Sequence, residues 1–183
     1  MTEFLAVITS FICVYYNIKA KPIAWIWSII ACVLYAKVMY DMQLWANFGL
    51  QFFFILMSFY GMYEWNFGKK DNKINIDIGY LTKSQITVLL FLSSCIGFIF
   101  VFFLRFYLSF LDIITTFLSL IAQYLLATKK IENWFFWIIA NFLYVIMYFS
   151  VQLYWSVGLY AVFLVMATIG FWEWKNKLKN NVK

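Results

Sequence analysis

The feature that most constrains this chain is a series of seven long apolar runs separated by short gaps, several of which are rich in lysine. A helix needs about 20 mostly apolar residues to cross the hydrocarbon core of a bilayer. The sequence therefore predicts seven transmembrane spans, with approximate bounds 3–18, 23–40, 44–66, 85–106, 111–128, 133–150 and 153–174. Span 4 is the clearest, because it carries no charge from Ser84 through Leu104.

Composition supports an integral membrane protein. Hydrophobic residues make up 66% of the 183 residues and charged residues only 12%, whereas soluble domains have about half and a quarter. The formal charge of +6 comes from lysines in the gaps and the tail, with no basic stripe between aromatic residues. A nucleic-acid platform needs such a stripe, so no nucleic-acid partner is expected.

The positions of the basic residues predict the orientation. The gaps after spans 1, 3 and 5, together with the tail at 175–183, contain 12 of the 14 Lys and Arg residues. With seven spans these four segments lie on the same side of the membrane. The positive-inside rule then places them in the cytoplasm and the N-terminus outside.

The chain also contains an internal repeat. When it is shifted by 109 residues, positions 21–65 align with 130–174 without a gap, and 16 of the 45 pairs are identical. The identical pairs include Trp25/Trp134, Tyr35/Tyr144, Gly61/Gly170 and Trp65/Trp174. Repeats of this kind occur in transporters, which bind solutes between the repeats and alternate access by rocking one against the other.

The predicted architecture is therefore all-α, with seven spans in a 3+1+3 parallel-repeat arrangement within a single domain. Repeat 1 covers about 3–66, a linker helix about 84–106 and repeat 2 about 111–174. Both repeats cross the membrane in the same direction, because three spans plus one return the chain to its starting side.

Polar residues within the spans mark the candidate pathway, since they are costly in lipid and usually face a cavity or a polar partner. Span 3 contributes Asn47 and Gln51. In span 5 a helical spacing of 4, 3 and 4 puts four polar residues on one face: Asp112, Thr116, Ser119 and Gln123. In span 6 a spacing of 3, 4 and 3 does the same for Trp134, Trp137, Asn141 and Tyr144. A face of two Trp, an amide and a phenol suits a flat ring with polar attachments, and Trp faces attract cations.

Several of these residues have a structural alternative. Ser and Thr can bond to the preceding turn of their own helix, and Asp112 can act as a helix N-cap. Tryptophans near span ends commonly anchor a protein at the membrane interface, which is the interpretation favoured for Trp25, Trp45, Trp65, Trp155 and Trp174. The three cysteines, Cys13, Cys32 and Cys95, are interpreted as small buried hydrophobic residues.

Enzyme signatures are missing from the sequence. It has no histidine, no CxxC, no phosphate-binding glycine motif and no carboxylate pair within a span. We therefore expect no catalytic residues, no metal and no cofactor. All eight carboxylates lie at span ends or in loops, so passive, gradient-driven movement is favoured over proton coupling.

Two stretches of the chain resemble the PnuC family of vitamin transporters. One is LDIITTFLSLIAQYLLA followed by KKIENWFFWIIANFLY, and the other is the pair of segments at 50–54 and 60–65. The resemblance implies a fold akin to SWEET sugar transporters and facilitated diffusion of nicotinamide riboside, an NAD precursor, across the bacterial inner membrane. It also implies a homotrimer and trapping of the solute by a cytoplasmic kinase. It assigns Trp134, Trp137 and Asn141 to the substrate-contacting motif and places Gln51 in the matching stretch of span 3.

Two other hypotheses remain open at this point. The same family includes carriers of thiamine, other B vitamins and nucleosides, so the solute could be one of these. A protein of another class, a non-transporting membrane scaffold, would lack a solute-sized cavity between the repeats.

Overall fold

The computed structural model describes residues 2–41, 45–70, 73–74, 78–87, 89, 110–150, 152 and 154–181. Within these ranges there are six long helices, which agrees with the predicted all-α membrane fold. They are α1 (Thr2–Ile18), α2 (Ile23–Asp41), α3 (Trp45–Phe67), α4 (Phe110–Ala127), α5 (Glu132–Ser150) and α6 (Tyr154–Asn181). Predicted span 4 is helical at 83–87, and most of it, including Cys95, lies outside the described residues.

The outer surface of the bundle is suited to lipid. Among the described residues, three helical stretches are long and apolar enough to cross a bilayer, namely Ile23–Asp41, Glu132–Ser150 and Ser156–Asn180. Large apolar side chains are exposed on several helices, among them Leu56 at 67% and Phe135 at 57%. Water would oppose so much exposed apolar surface, whereas hydrocarbon accommodates it.

The described helices form two sets of three. In the first set α1 packs on α2 and α2 on α3; in the second set α4 packs on α5 and α5 on α6. The sets meet where α1 contacts α6 and α3 contacts α4. The first set covers 2–67 and the second 110–181, where α6 continues past the predicted end of repeat 2 at 174. That the two sets are copies of one duplicated unit stays a prediction.

The turn after the first helix has the same geometry in both sets. Ala20 and Lys129, which are 109 residues apart, have φ of 55° and 51°. The amide after each bonds five residues back, from Lys21 N to Tyr16 O at 3.0 Å and from Lys130 N to Leu125 O at 2.8 Å. This is the Schellman motif, in which a left-handed residue ends a helix and satisfies its last carbonyls. We call the end of the bundle that carries these two turns the turn end.

Two buried tryptophans tie the helix sets together at the turn end. Trp174 Nε1 of α6 lies 3.0 Å from Asn17 O and 3.1 Å from Ile18 O at the end of α1. Trp65 Nε1 of α3 lies 3.2 Å from Leu126 O and 3.0 Å from Ala127 O at the end of α4. Each indole thus donates to the last carbonyls of a helix in the other set. Such carbonyls have no partner within their own helix.

The interface-anchor prediction is wrong for three of the tryptophans. Trp25, Trp65 and Trp174 are at most 1% exposed and belong to one buried cluster with Trp134. Their rings meet edge-on or tilted, with centroids 5.3 Å apart for Trp25 and Trp65 and 5.5 Å apart for Trp134 and Trp174. A position near the end of a span does not reveal whether the ring points outward to the interface or inward to the other set. The side chains of Trp45 and Trp155 lie outside the described residues.

We expect the crossed indole bonds to contribute strongly to stability. Trp65→Phe and Trp174→Phe each remove a buried donor that bonds to two carbonyls. One carbonyl of each pair, Leu126 O or Asn17 O, keeps a bond from Lys129 N or Ala20 N. The expected cost is therefore about 1–3 kcal/mol, for the loss at Ala127 O or Ile18 O. Both variants should therefore melt earlier than wild type in detergent, as followed by size-exclusion fluorescence. Trp172→Phe is the matched control, because Trp172 is on the same helix and 56% exposed. Equal melting of the Trp172 and Trp174 variants would contradict the prediction.

Different segments pack over the α1–α2 turn and the α4–α5 turn. After α3 the chain forms a short antiparallel hairpin of β1 (Lys69–Lys70) and β2 (Lys73–Ile74). Gly79 then bonds to both sides of the α4–α5 turn, to Lys129 O and from Ile131 N, each at 3.0 Å. The α1–α2 turn is covered instead by α6, where Lys177 Nζ donates to Lys19 O at 2.7 Å. The sequence did not predict this difference.

Candidate functional site

A cavity of about 350 Å³ lies between the two helix sets and is lined by all six described helices. Most of its lining residues form pairs that are 109 positions apart in the chain. These pairs are Ser10/Ser119, Val14/Gln123, Asn17/Leu126, Ser28/Trp137, Cys32/Asn141, Tyr35/Tyr144, Met39/Tyr148, Leu50/Leu159, Gln51/Tyr160 and Phe54/Phe163. The two helix sets therefore line the cavity with residues at equivalent positions of the sequence repeat. Its volume is within the range of small-molecule sites.

One wall of the cavity is aromatic and comes mainly from α5 and α6. Trp134 and Trp137 lie toward the turn end, because α5 begins there. Further along the same helices three tyrosine rings stack, with centroids 4.5 Å apart for Tyr144 and Tyr160 and 5.2 Å apart for Tyr148 and Tyr160. Ring faces carry negative charge density and can hold a flat or cationic solute.

Another part of the lining is built from small polar side chains of α1 and α2. It includes Asn17, Cys13, Ser28 and Cys32. Ser28 Oγ lies 2.8 Å from Ser58 Oγ of α3, which fixes the hydroxyl, and Ser58 in turn donates to Phe54 O at 2.7 Å. The two helix sets thus line the cavity at equivalent positions but with chemically different side chains. This lining suits a solute with an apolar face and a polar edge.

Six of the nine predicted binding residues line this cavity: Trp134, Trp137, Asn141, Tyr144, Gln51 and Gln123. Asn141 is only 6% exposed and Gln123 only 7% exposed, as expected for amides that face an interior space. Direct contact of these six residues with a solute stays a prediction.

The other three predicted residues are Thr116, Asn47 and Asp112. Thr116 is on α4 but is not among the lining residues. The side chains of Asn47 and Asp112 lie outside the described residues. Their N-cap or binding roles therefore stay predictions. Ser119 does line the cavity, and its hydroxyl donates to Thr115 O at 2.8 Å.

Several lining residues were missed by the sequence reasoning, notably Asn17, Ser28, Tyr35, Tyr148 and Tyr160. The internal repeat could have found most of them. Subtracting 109 from Trp137 and Tyr144 gives Ser28 and Tyr35, while adding 109 to Gln51 gives Tyr160. Cys13 and Cys32 are buried as predicted, but they border the cavity rather than filling a packed core.

The chemistry of the described lining disfavours several kinds of solute. Among the described residues that border the cavity, none is charged. An ion such as a phosphate dianion would be left without a counter-charge in a desolvated space, which is strongly unfavourable. The side chains offer amides, hydroxyls and ring faces, which suit an uncharged or ring-cationic solute with hydrogen-bonding groups. A cavity of this kind removes the basis for the scaffold hypothesis.

Six helices around a central, solute-sized cavity within an apolar outer surface define a membrane transporter. The family model for nicotinamide mononucleotide transporters matches residues 1–176. The chain belongs to this family, which confirms the prediction of a transporter rather than an enzyme.

Individual relatives agree with the family assignment. The nicotinamide riboside transporter PnuC of Escherichia coli (strain K12) is 24% identical over 208 aligned positions, covering 97% of this chain and 86% of that protein. The protein of the same name from Shigella flexneri gives the same values. The crystal structure of the vitamin B3 transporter PnuC matches with a TM-score of 0.76 at 22% identity, covering 96% of this chain and 81% of that one. The match confirms the predicted all-α fold, while the 3+1+3 parallel-repeat arrangement stays a prediction. The family and the apolar helices together indicate a bacterial inner-membrane protein.

Proposed function

We propose that this chain mediates facilitated diffusion of nicotinamide riboside across the bacterial inner membrane. The observation that carries the proposal is the uncharged, partly aromatic cavity of about 350 Å³ between the helix sets. The names of the curated relatives support the same solute. Nicotinamide riboside is a flat pyridinium cation that bears a carboxamide and a ribose. The ring faces of Trp134 and Trp137 suit the cation, and the amides of Asn141, Gln51 and Gln123 suit the hydroxyls.

The same cavity favours the riboside over its phosphorylated form. Nicotinamide mononucleotide, which gives the matching family its description, carries an additional phosphate. A buried phosphate is normally held by Arg, Lys or a helix N-terminus. The described lining residues include neither Arg nor Lys. Burial of the phosphate would therefore cost more than the rest of the cavity could return.

We propose alternating access by rocking one three-helix set against the other. The cavity lies between the sets, and the sets meet along α1–α6 and α3–α4. The buried tryptophan cluster closes the bundle at the turn end, while the tyrosine stack lies toward the other end. The described lining has no carboxylate that could couple transport to protons, which supports a passive carrier.

The remaining predictions concern topology and partners. Lys19, Lys21, Lys129 and Lys130 all lie at the turn end, and by the positive-inside rule this end and the C-terminus are cytoplasmic. A cytoplasmic kinase that phosphorylates the solute would make uptake effectively one-way. We also propose the homotrimer that the family resemblance implies.

The proposal is tested by uptake into liposomes that contain the purified protein. We expect saturable entry of labelled nicotinamide riboside that stops when the internal and external concentrations are equal. Excess unlabelled riboside should abolish the labelled uptake, and excess nicotinamide mononucleotide should leave it nearly unchanged. Empty liposomes are the control.

Three outcomes would count against the proposal. Uptake no greater than in empty liposomes would overturn it. Stronger competition by thiamine than by unlabelled riboside would identify a thiamine carrier. Accumulation above the external concentration under an imposed proton or sodium gradient would replace facilitated diffusion with coupled transport.

A further inference from the structure

Asn17 is a polar side chain whose hydrogen-bonding capacity is only partly used. It lines the cavity near the turn end and is 5% exposed. Its Nδ2 lies 3.4 Å from Cys13 Sγ, a weak acceptor, and its Oδ1 has no hydrogen-bond partner within the described residues. A buried amide oxygen without a partner costs about 1–3 kcal/mol. Asn17 lines the cavity, so this amide lies beside the space that a solute would occupy.

The backbone holds Asn17 in a fixed position. Its carbonyl oxygen accepts from Trp174 Nε1 at 3.0 Å and from Ala20 N at 2.9 Å. The residue therefore joins the cavity to the tryptophan cluster, and its side chain leaves a rigid part of α1. Preorganised groups bind with less loss of entropy than mobile ones.

Packing alone does not require an amide at this place. The residue 109 positions later is Leu126, which lines the same cavity from the other helix set and is 4% exposed. An apolar side chain thus fills the equivalent position, and the polar group occurs on one side only. This asymmetry points to a role in recognising the solute rather than in holding the helices together.

We propose that Asn17 is a specificity-determining residue that pairs with the primary carboxamide on the ring of the solute; the inference rests on the proposed function. A side-chain amide offers one acceptor and one donor side by side. A primary carboxamide offers the complementary pair, so two N–H···O bonds form and the weak sulfur contact of Nδ2 is replaced. A carboxylate offers two acceptors, one of which would face Oδ1 without a hydrogen between them.

The position of Asn17 also orients the solute. Trp134 and Asn17 both line the cavity near the turn end. A ring stacked at Trp134 with its carboxamide on Asn17 points its ribose toward the opposite end of the bundle. Gln51 and the hydroxyls of Tyr144 and Tyr160 are available to the ribose there.

The test compares two solutes that differ only at the group in question. The two unlabelled competitors are nicotinamide riboside and its carboxylate counterpart, nicotinic acid riboside. Each competes with the uptake of labelled nicotinamide riboside into liposomes. The liposomes contain wild type, Asn17→Leu or Asn17→Asp. Wild type should prefer the carboxamide. Asn17→Leu should weaken the apparent affinity for nicotinamide riboside by about tenfold, which corresponds to the loss of roughly one to two hydrogen bonds. The apparent affinity for the carboxylate should fall much less. Asn17→Asp keeps an acceptor, so the preference for the carboxamide should persist or increase.

The controls separate this inference from the proposed function and from misfolding. Thr9→Val alters another buried polar residue of α1, whose hydroxyl is bonded within its own helix at 2.8 Å and 2.9 Å, and it should leave the preference unchanged. If wild type takes up no nicotinamide riboside, the proposed function fails and the inference fails with it. If wild type transports nicotinamide riboside but Asn17→Leu lowers the apparent affinity for both solutes by the same factor, the inference alone is overturned. Should Asn17→Leu not fold, loss of the carboxamide preference in Asn17→Asp would overturn it.

Discussion

Replacing Gly170 by alanine is expected to destabilise the protein by about 3 kcal/mol, the upper part of the usual range for overpacked cores. A Cβ at this position would lie 2.6 Å from Cη2 of Trp134 and 2.7 Å from two further atoms of the same ring. Trp134 is 2% exposed and packed on Trp174, so it has little room to shift. The melting temperature in detergent should fall by several degrees, and uptake should fall too, because Trp134 lines the cavity.

The chain contains matched controls for this change. Gly61 contacts Trp25 in the first helix set as Gly170 contacts Trp134 in the second. Gly61→Ala should therefore also be destabilising, but with less effect on uptake, since Trp25 is not among the cavity-lining residues. Gly49 and Gly158 are on the same two helices and have nothing within 4 Å of an added Cβ. Their alanine variants should be neutral or slightly more stable, because alanine favours helix. Equal melting temperatures for Gly170→Ala and Gly158→Ala would refute the close packing of Trp134 against the backbone at Gly170.

Truncation of the aromatic wall should have the largest effect on transport. We expect Trp137→Ala and Asn141→Ala each to reduce the initial rate of nicotinamide riboside uptake by about tenfold or more, since a buried aromatic anchor or a hydrogen-bonding amide contributes about 1–3 kcal/mol or more to binding. Both residues line the cavity on one face of α5. The measurement is the initial rate in liposomes with equal amounts of inserted protein.

The neighbouring residues of α5 provide the controls. Phe135 is 57% exposed and Phe142 is 52% exposed on the other side of the helix. Phe135→Ala and Phe142→Ala should keep uptake within about twofold of wild type, because exposed side chains away from a site contribute little. Unchanged uptake in both Trp137→Ala and Asn141→Ala, or an equal loss in all four variants, would rule out a binding role for this face.

Much of the fold could be predicted because its signals are local in the sequence. The length of each apolar run sets the spans, and the lysine-rich gaps mark the turns. The shift of 109 residues placed Trp134 over Trp25 and Gly170 over Gly61, and the structure explains why these pairs are identical. Each tryptophan needs a helix backbone without a Cβ to pack against. Helical spacing likewise placed Trp134, Trp137, Asn141 and Tyr144 on one face, and all four line the cavity.

The features that the sequence does not predict depend on which helix faces contact each other in the folded protein. Helical periodicity shows that residues share a face, but an apolar face reads the same whether it meets lipid, another helix or a cavity, because lipid tails are as apolar as leucine. For this reason the sequence predicts interface anchors at Trp25, Trp65 and Trp174, whereas the structure buries all three. For the same reason the predicted burial of Cys13 and Cys32 is confirmed, but the sequence does not show that they border a cavity.

The sequence by itself determined an all-helical membrane transporter with two similar halves and an aromatic, amide-bearing face on α5. Only the tertiary structure decided what lies opposite that face. The crossed bonds from Trp65 and Trp174 hold the ends of α4 and α1 against the other helix set. They thereby bring Asn17, far away in the chain, to the same cavity as Trp134. Contacts between residues so distant in sequence leave no local pattern, because they arise from how whole helices pack.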